Sequence, residues 1–400
     1  TLSSSSAASD VYKRQMRICL YDGPNRSDLL PLVYTRPVAD LLLGGMTLAK
    51  RWSLALDAEV VVETETYLQE STPSFELAVM AGCLPNPELL SAINDLKDGQ
   101  KLMHNGTMIA FCGASSSTDT ALETFETIGI DAEIRLVRYP WDLFSKNAEV
   151  LIEDASFFSA THNNKLNETN QQHGNYPVLV GANVTSFAAV YNTQDGPIIM
   201  DDGATVMEGA LLRGPIYIGK NSVIKMGAKI YGGTSLGPHC KAGGELNNVV
   251  MLGNSNKGHD GFLGNAAIGE WCNLGAATDA SNLKNDYGNT RAWNYTQQKF
   301  ISTGLQFCGL IMGDHSKTAI QTPLNTATVV GVGCSIFSMG FPRTFIPSFS
   351  RGGSQGMTEN NLDKMLNTAA VVMARRGQDM SADDKAILTH LFAATKQFRY

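Results

Sequence analysis

The segment MDDGATVMEGALLRGPIYIGKNSVIKMGAKIYGGTSL, residues 200–236, carries an aliphatic residue or Met at every sixth position. Four residues after each of these comes a residue that is small in nearly every case. An amphipathic helix repeats every 3.6 residues and a half-buried strand every 2, so neither explains a period of six. A three-sided parallel β-helix explains a period of six, because each hexad forms one side of the prism. The in-frame residues are Met200, Val206, Leu212, Ile218, Ile224, Ile230 and Leu236.

The same frame returns at Phe262, Ile268 and Leu274 and again from Met312 to Ile336. We therefore predict a β-helix domain over residues 175–350. The steps from Leu236 to Leu246 and from Leu252 to Phe262 each take ten residues, which indicates an insertion at a corner of the prism. His259 lies in the second insertion and is expected on an exposed corner, where function is usually carried. The alternative is a solvated loop histidine without a role.

The segment ELNNVVMLGNSNKGHDGFLGNAAIGEWCNLGAA, residues 245–277, resembles the acetyltransferase half of the bifunctional GlmU family. In that family a Glu precedes the catalytic His by fourteen residues and an Asn follows it by fourteen. Glu245 and Asn273 have this spacing around His259. The stretches FLGNAAIG and NLGA also match, and the resemblance covers most of residues 178–340.

The resemblance implies a left-handed parallel β-helix that binds acetyl-CoA and acetylates an amino sugar such as glucosamine 1-phosphate. The family then couples the product to UTP, in the biosynthesis of UDP-N-acetylglucosamine. By the same resemblance, His259 is the general base for the attacking amine and Glu245 orients its imidazole. The N–H of Ala276 stabilises the oxyanion, and Asn273 contacts the sugar.

The sequence departs from the family at the acceptor's phosphate. The family's phosphate-binding Lys is Asn247 here, and its phosphate-binding Arg falls near Lys229 or Tyr231. We assign Asn247, Lys229 and Phe262 to the substrate-binding surface. Three alternatives stay open: Glu245 is a solvated carboxylate, Asn273 bonds its own backbone at a corner, and the lysines, Lys257 included, are solvated.

Residues 16–165 have a different pattern, with apolar strands such as MRICLY and GTMIAFCG among helical segments, and predict an α/β domain. The segment LLPLVYTRPV, residues 29–38, resembles the P-L-T-x-T-R-P-K element of sugar nucleotidyltransferases. That family's G-x-G-T-R loop, whose amides bind phosphate, is PNRSD here, and its Lys is Val38. Arg26 and Arg36 are the remaining candidates for nucleotide binding. Mg²⁺ is expected only if nucleotidyl transfer takes place.

Composition excludes several classes of partner. The formal net charge is −7 without a basic run, which argues against nucleic acid and anionic membranes. The seven cysteines have no metal-ligand spacing, so we expect no metal site and reduced thiols in a cytoplasmic protein. No apolar run is long enough to cross a bilayer.

Three further segments complete the organisation. Residues 1–15, TLSSSSAASDVYKRQ, lack the apolar core of a signal peptide, and we interpret them as a non-native leader before Met16. Residues 279–309 are predicted to project as a loop whose aromatics Tyr287, Trp293 and Tyr295 wall the acyl or acceptor site. Residues 351–400 are predicted to form a helical tail that packs on the prism or on a neighbouring subunit.

The sequence leaves three hypotheses. The first is an acetyl-CoA-dependent acetyltransferase, and the resemblance implies a homotrimer. The second is a sugar-1-phosphate nucleotidyltransferase that forms UDP- or dTDP-sugars. The third is a non-catalytic protein that binds sugar nucleotides, which the altered N-terminal loop favours and the Glu–His–Asn spacing opposes.

Overall fold

The computed structural model describes residues 16–113, 117–337 and 339–399, so the predicted leader lies outside the described residues. An N-terminal α/β domain is followed by a left-handed parallel β-helix and a short helical tail, which confirms the predicted fold class. None of the helices in these described ranges combines the length and apolar character that crossing a membrane requires.

The N-terminal domain is built on a six-stranded mixed sheet with strand order β4-β1-β5-β7-β6-β8. Strand β1 (RICLY) is almost wholly apolar because it lies in the sheet interior, paired in parallel with β4 and β5. The strands are β1 Arg17–Tyr21, β2 Leu42–Leu43, β3 Met46–Thr47, β4 Glu59–Glu63, β5 Leu77–Met80, β6 Gln100–His104, β7 Thr107–Cys112 and β8 Glu126–Gly129. The helices are α1 Leu48–Leu56, α2 Pro87–Asn94, α3 Thr118–Thr124 and α4 Pro140–Phe158.

The β-helix has three faces, which we call domain-facing, tail-facing and open. Two long strands, Glu245–Gly253 and Phe262–Glu270, turn a corner and serve both the open and the domain-facing faces. The other open-face strands are Gln171–His173, Val190–Asn192, Leu211–Arg213, Lys229–Ile230, Asp279–Ala280 and Pro323–Leu324. The other domain-facing strands are Val178–Val180, Ile198–Met200, Ile216–Ile218, Thr234–Leu236, Ile311–Met312, Val329–Val330 and Phe345–Ile346. The tail-facing strands are Thr185–Ser186, Thr205–Val206, Val223–Ile224, Lys241–Ala242, Asn256–Lys257, Lys317–Thr318, Ser335–Ile336, Ser350–Gly353 and Gly356–Glu359.

The period-six frame is confirmed from residue 200 to residue 236. All seven in-frame side chains fill the prism interior and are at most 2% exposed. The small partners lie at tight corners and are equally buried, as Ala204, Ala228 and Cys240 show. Burial of one aliphatic residue per side therefore holds the coils together.

The frame around His259 differs from the prediction. Leu252 packs outward against the N-terminal domain and Phe262 faces out from the open face, so neither fills the prism. The inward position that precedes His259 is Lys257, which the search for aliphatic residues passed over. The shortest step, of four residues, falls earlier, from Ala242 to Leu246 at the Gly243–Gly244 corner, and the steps from Leu246 to Met251 and from Leu263 to Ile268 take five. The inward series is Ala242, Leu246, Met251, Lys257, Leu263, Ile268, Leu274 and Ala280.

The segment 279–309 forms a hairpin, Arg291–Asn294 with Lys299–Ser302, which packs on other parts of the chain. The ring of Tyr295 is buried with its edge against Tyr34 of the N-terminal domain, at 5.5 Å between centroids. Trp293 stacks on Phe345 at 4.1 Å. Of the three aromatics predicted to wall the substrate site, only Tyr287 is largely exposed.

A buried ion pair joins the N-terminal domain to the β-helix. The Arg36 guanidinium donates to both carboxylate oxygens of Asp314, at 3.0 and 2.6 Å, and to the carbonyl of Leu32 at 2.9 Å. Thr35 donates its hydroxyl to the same carboxylate at 2.7 Å. Burial alone would raise the pKa of Asp314, but the facing guanidinium holds it below its usual value.

Helix α4 makes a second contact with the β-helix through its buried Asn147. The amide of Asn147 donates to the Gly233 carbonyl at 2.7 Å and to Ser235 Oγ at 2.9 Å. Its oxygen accepts the N–H of Gly44 at 2.8 Å, so one side chain connects three segments. Together with the ion pair, this fixes the N-terminal domain on the domain-facing face.

The tail contains α5, Leu362–Ala374, and α6, Ala382–Ala394, joined by a turn. Ser381 and Asp384 form a capping box at the start of α6. After α5, the Arg376 guanidinium donates to the carbonyl of His239 and, at 2.7 Å, to Asn256 Oδ1. The tail thus packs on the tail-facing face of its own chain.

We expect Arg36→Met to destabilise the protein strongly, because it leaves Asp314 charged and buried without its cation. Removing one partner of a buried pair costs about 3–5 kcal/mol. Arg17→Met is the matched control, since Arg17 pairs with an exposed Glu59 and such pairs contribute about 1 kcal/mol or less. Thermal and urea unfolding measure both variants. Equal, small losses would show that the ion pair does not hold the domains together.

Candidate functional site

Three successive coils stack at one corner of the prism, between the tail-facing and open faces. The N–H of Glu245 donates to the Gly261 carbonyl at 3.1 Å, and the N–H of Ala277 donates to the Asp260 carbonyl at 2.8 Å. These bonds fix the three coils in register, one above the other. The corner therefore brings together the three predicted catalytic residues, Glu245, His259 and Ala276.

His259 is exposed at the tip of this corner, as predicted. Gly261 makes the turn possible: its φ is +121°, and a Cβ there would come 2.4 Å from the Thr278 carbonyl oxygen. Gly258 has open space around it and no such requirement. The His259 carbonyl accepts a hydrogen bond of 2.8 Å from Lys257 Nζ, so the turn is held from inside the prism.

Lys257 is the residue of this corner that the sequence did not reveal. Its side chain is 1% exposed, so Lys257 is not the solvated lysine of the open alternative. Burial lowers the pKa of Lys257, while Asp279 and Asp260 act in the opposite direction. A cation inside an apolar prism needs such partners, and the His259 carbonyl is the one it reaches.

Glu245 is half-buried on the open face, one coil below the His259 turn. In the part of the chain that the structure describes, no hydrogen bond joins its carboxylate to the imidazole. Its neighbours across the strands are Lys229 on one side and Phe262 on the other. The Phe262 ring covers Gly264, where a Cβ would come 2.6 Å from ring carbon Cζ, and Asn247 pairs with that glycine. The open face thus offers a charged and aromatic surface beside His259.

Asn273 belongs to an outward-pointing polar column on the tail-facing face. Its Oδ1 accepts from Asn256 Nδ2 at 3.3 Å, so it bonds a side chain of the next coil. Arg376 holds the other end of Asn256, which brings a guanidinium to this column. We call the column the polar ladder; in register order it comprises Lys241, Asn256, Asn273, Lys317, Ser335 and Arg351.

The polar ladder is electropositive. Burial, and then the nearby Arg376, lower the pKa of Lys241, as expected where cations crowd together. A cavity of about 310 Å³ lies between the ladder and α5. Its walls include the cationic groups of Lys317, Arg351 and Lys364. The tail thus adds positive charge beside Asn273, which the sequence patterns did not predict.

The N-terminal domain has a cavity of about 650 Å³ at the carboxyl ends of β1 and β4. In open α/β sheets this edge is the usual ligand-binding position. Its walls carry the carboxylates of Asp22, Glu63, Glu65 and Asp119. The wall also contains Pro24 from the altered phosphate loop. This lining repels a triphosphate.

The two arginines proposed for nucleotide binding occupy different places. Arg26 lines the cavity, but its Nε donates to Asp22 at 2.7 Å and its Nη2 donates to the Val33 carbonyl and to the Tyr67 hydroxyl. Arg36 lies in the domain interface, bonded to Asp314. The structure therefore places one candidate in the cavity wall and the other outside it.

Residues 18–163 match the model of a family described as sugar nucleotidyl transferase. The match spans the N-terminal domain and ends just after α4. A comparison with curated proteins gives no match. The match covers less than half of the chain and supports a transferase.

Two solved structures are similar to parts of the chain. The crystal structure of the polySia specific acetyltransferase NeuO shares 11% identity, covering 49% of this chain and 88% of its own, with a TM-score of 0.29. That of Arabidopsis UDP-N-acetylglucosamine acyltransferase shares 13% identity, covering 53% of this chain and 80% of its own, also at 0.29. Likenesses at this TM-score carry no conclusion about function.

Proposed function

We propose that the chain transfers an acetyl group from acetyl-CoA to the amine of an amino-sugar phosphate similar to glucosamine 1-phosphate. Such a reaction belongs to the biosynthesis of nucleotide sugars of the UDP-N-acetylglucosamine type. The observation that carries the proposal is the corner at which three stacked coils bring Glu245, His259 and Ala276 together. The resemblance of residues 245–277 to the GlmU acetyltransferases supplies the roles.

His259 serves as the general base. A sugar amine is mostly ammonium at neutral pH, and only its free base attacks a thioester. The imidazole takes the amine proton as the N–C bond forms and returns it to the thiolate as the C–S bond breaks. The N–H of Ala276 faces the developing oxyanion. Glu245, one coil below, orients the imidazole after a side-chain rotation.

The polar ladder supplies the cations that anionic substrates need. Coenzyme A carries several phosphates, and the acceptor carries one more. The family's phosphate-binding Lys is absent, and Asn247 and Lys229 stand near its place on the open face. The Arg376 guanidinium next to Asn256 and Asn273 provides positive charge on the other side of the corner.

We further propose a cytoplasmic homotrimer. The resemblance implies trimers with sites between prisms. The open face carries the exposed side chain of Leu211, in the same register column as Lys229, Glu245 and the half-buried Phe262. A partner prism on this face would enclose the substrate next to His259. The seven described cysteines are all free, as expected for a reducing compartment.

Nucleotidyl transfer from UTP or dTTP to a sugar 1-phosphate is the second candidate. The family match and the cavity at the ends of β1 and β4 favour it. The residues fit a Mg²⁺ ion poorly at Asp22, because Arg26 already neutralises that carboxylate and Thr64 and the Val38 N–H also bond it. A non-catalytic site for a sugar nucleotide is the alternative use of the same cavity.

Changing His259 to Asn should lower kcat for acetyl transfer by about 10²–10⁴-fold, because it removes the general base while keeping a polar side chain. Acetyl-CoA binding and the melting temperature should change little, since the side chain is exposed. Free thiol release with amino-sugar phosphates measures the rate. His173→Asn, at an exposed site elsewhere on the open face, is the control. If the His259→Asn variant keeps the parent rate across pH 6–9, the general base lies elsewhere. If the variant unfolds, the role of His259 is structural.

Arg376→Met should raise the KM for acetyl-CoA, because it removes the guanidinium that contacts Asn256. A hydrogen bond to a charged group contributes about 1.5–3 kcal/mol, so we expect roughly 10- to 100-fold. Arg375→Met is the matched control, since it removes the same charge from the adjacent, exposed residue. Steady-state kinetics compares the two. If both variants raise the KM for acetyl-CoA equally, the specific contact with Asn256 is ruled out. The loss of one positive charge would then account for the effect.

The N-terminal cavity should bind UTP weakly, because the glycine loop is missing and the walls are acidic. Calorimetry with the full chain measures affinity, and pyrophosphate release with sugar 1-phosphates measures turnover. A dissociation constant in the low micromolar range would show that the cavity binds phosphates in another way. Turnover would then support the nucleotidyltransferase, and binding without turnover would support the non-catalytic alternative.

A further inference from the structure

A histidine and two aspartates meet where the N-terminal domain joins the β-helix. His162 follows α4, and Asp201 and Asp202 follow the strand Ile198–Met200. One potential ligand atom from each side chain lies within 4.8 Å of the other two. The shortest of these separations that joins His162 to a carboxylate is 3.4 Å, from Nε2 to Asp201 Oδ1.

The imidazole of His162 is arranged to offer a lone pair. Thr161 Oγ1 lies 2.8 Å from its Nδ1, and a proton on Nδ1 leaves Nε2 as an acceptor. His162 is 8% exposed, and its buried Nε2 has no hydrogen-bond partner among the described residues. Its contact with Asp201 lacks hydrogen-bond geometry. A buried nitrogen without a partner is costly, and a bound ligand would remove that cost.

The two carboxylates are held in place by hydrogen bonds, two from outside the cluster and one from the Asp202 N–H within it. Asp201 Oδ2 accepts the Tyr217 hydroxyl at 2.8 Å, and its Oδ1 accepts the Asp202 N–H at 2.7 Å. Asp202 Oδ1 accepts the Ala182 N–H at 2.7 Å. Outer bonds of this kind orient the ligands of metal sites. Over the described ranges, neither aspartate forms an ion pair with a lysine or arginine.

We propose that His162, Asp201 and Asp202 bind a divalent transition-metal ion of the zinc class. One imidazole nitrogen with two carboxylate oxygens suits Zn²⁺ better than Mg²⁺ or Ca²⁺, which prefer oxygen ligands alone. Ligand bonds of about 2.0–2.2 Å in a tetrahedron separate the donor atoms by about 3.3–3.6 Å. The 3.4 Å between His162 Nε2 and Asp201 Oδ1 matches this separation, whereas the Asp202 oxygen, within 4.8 Å of the other two atoms, would move closer on binding. A fourth position remains for water.

The site would join two parts of the chain. His162 lies on the segment that leaves α4, and the aspartates lie on the domain-facing face. An ion held by both fixes the end of α4 to the β-helix, in addition to Asn147 and Arg36. Its role is therefore structural. The sequence analysis predicted no metal site, because these ligands are far apart in the chain and lack a recognised spacing.

Cobalt titration of the chelator-treated full chain tests the proposal, because Co²⁺ reports N/O ligation by its visible absorption. We expect one ion per chain, displaced by Zn²⁺, and a rise in melting temperature with Zn²⁺. His162→Asn and Asp202→Asn should each weaken binding by at least about 10-fold. Asp202→Asn keeps the acceptor for the Ala182 N–H, so folding should be preserved. His173→Asn, at an exposed histidine, should bind as the parent does.

Two results would overturn the proposal. The absence of a cobalt spectrum and of binding heat with the parent chain would make the cluster a purely polar contact. Parent-like affinity in both His162→Asn and Asp202→Asn would place any bound ion elsewhere. If circular dichroism shows that His162→Asn does not fold, the other two measurements test the proposal. Parent-like affinity in Asp202→Asn, together with a parent melting temperature that Zn²⁺ does not raise, would then overturn it.

Discussion

The stacking of one coil on the next constrains everything else in this structure. Parallel strands along each face fix which residue of one coil lies over which residue of the next, and a single aliphatic side chain per side closes the prism. Residues separated by one coil thereby become neighbours. The corner that carries His259 is a direct consequence, since Glu245 and Ala276 come to it only through the register of their coils.

Much of this architecture could be predicted from sequence, because the frame depends on local burial alone. The prediction was wrong where a different residue type took an inward position. Lys257 points into the prism, so a search for aliphatic residues moved the frame onto Leu252 and Phe262. A lysine can occupy this inward position because its Nζ donates to the His259 carbonyl. That carbonyl is in reach only once the turn has folded, so the sequence could not reveal it.

The contacts between the domains could not be predicted, because they join residues far apart in the chain with no local signature. Arg36 lies in a motif that resembles a phosphate-binding element, and nothing in the motif reveals Asp314 as its partner. Tyr295 and Arg376 are similar cases. Each was assigned to a loop or a tail by composition, and each packs or bonds against a distant segment.

These contacts also explain how the distribution of charged groups differs between the two domains. In the N-terminal domain, the arginines near the altered phosphate loop are used within the fold: Arg26 neutralises Asp22, and Arg36 holds the β-helix. The walls of the cavity at the carboxyl ends of β1 and β4 then carry mainly carboxylates. The β-helix has additional cationic groups, because the tail places Arg376 and Lys364 next to the polar ladder. Cationic groups thus lie on the tail-facing face of the prism, while the sheet edge of the N-terminal domain is acidic.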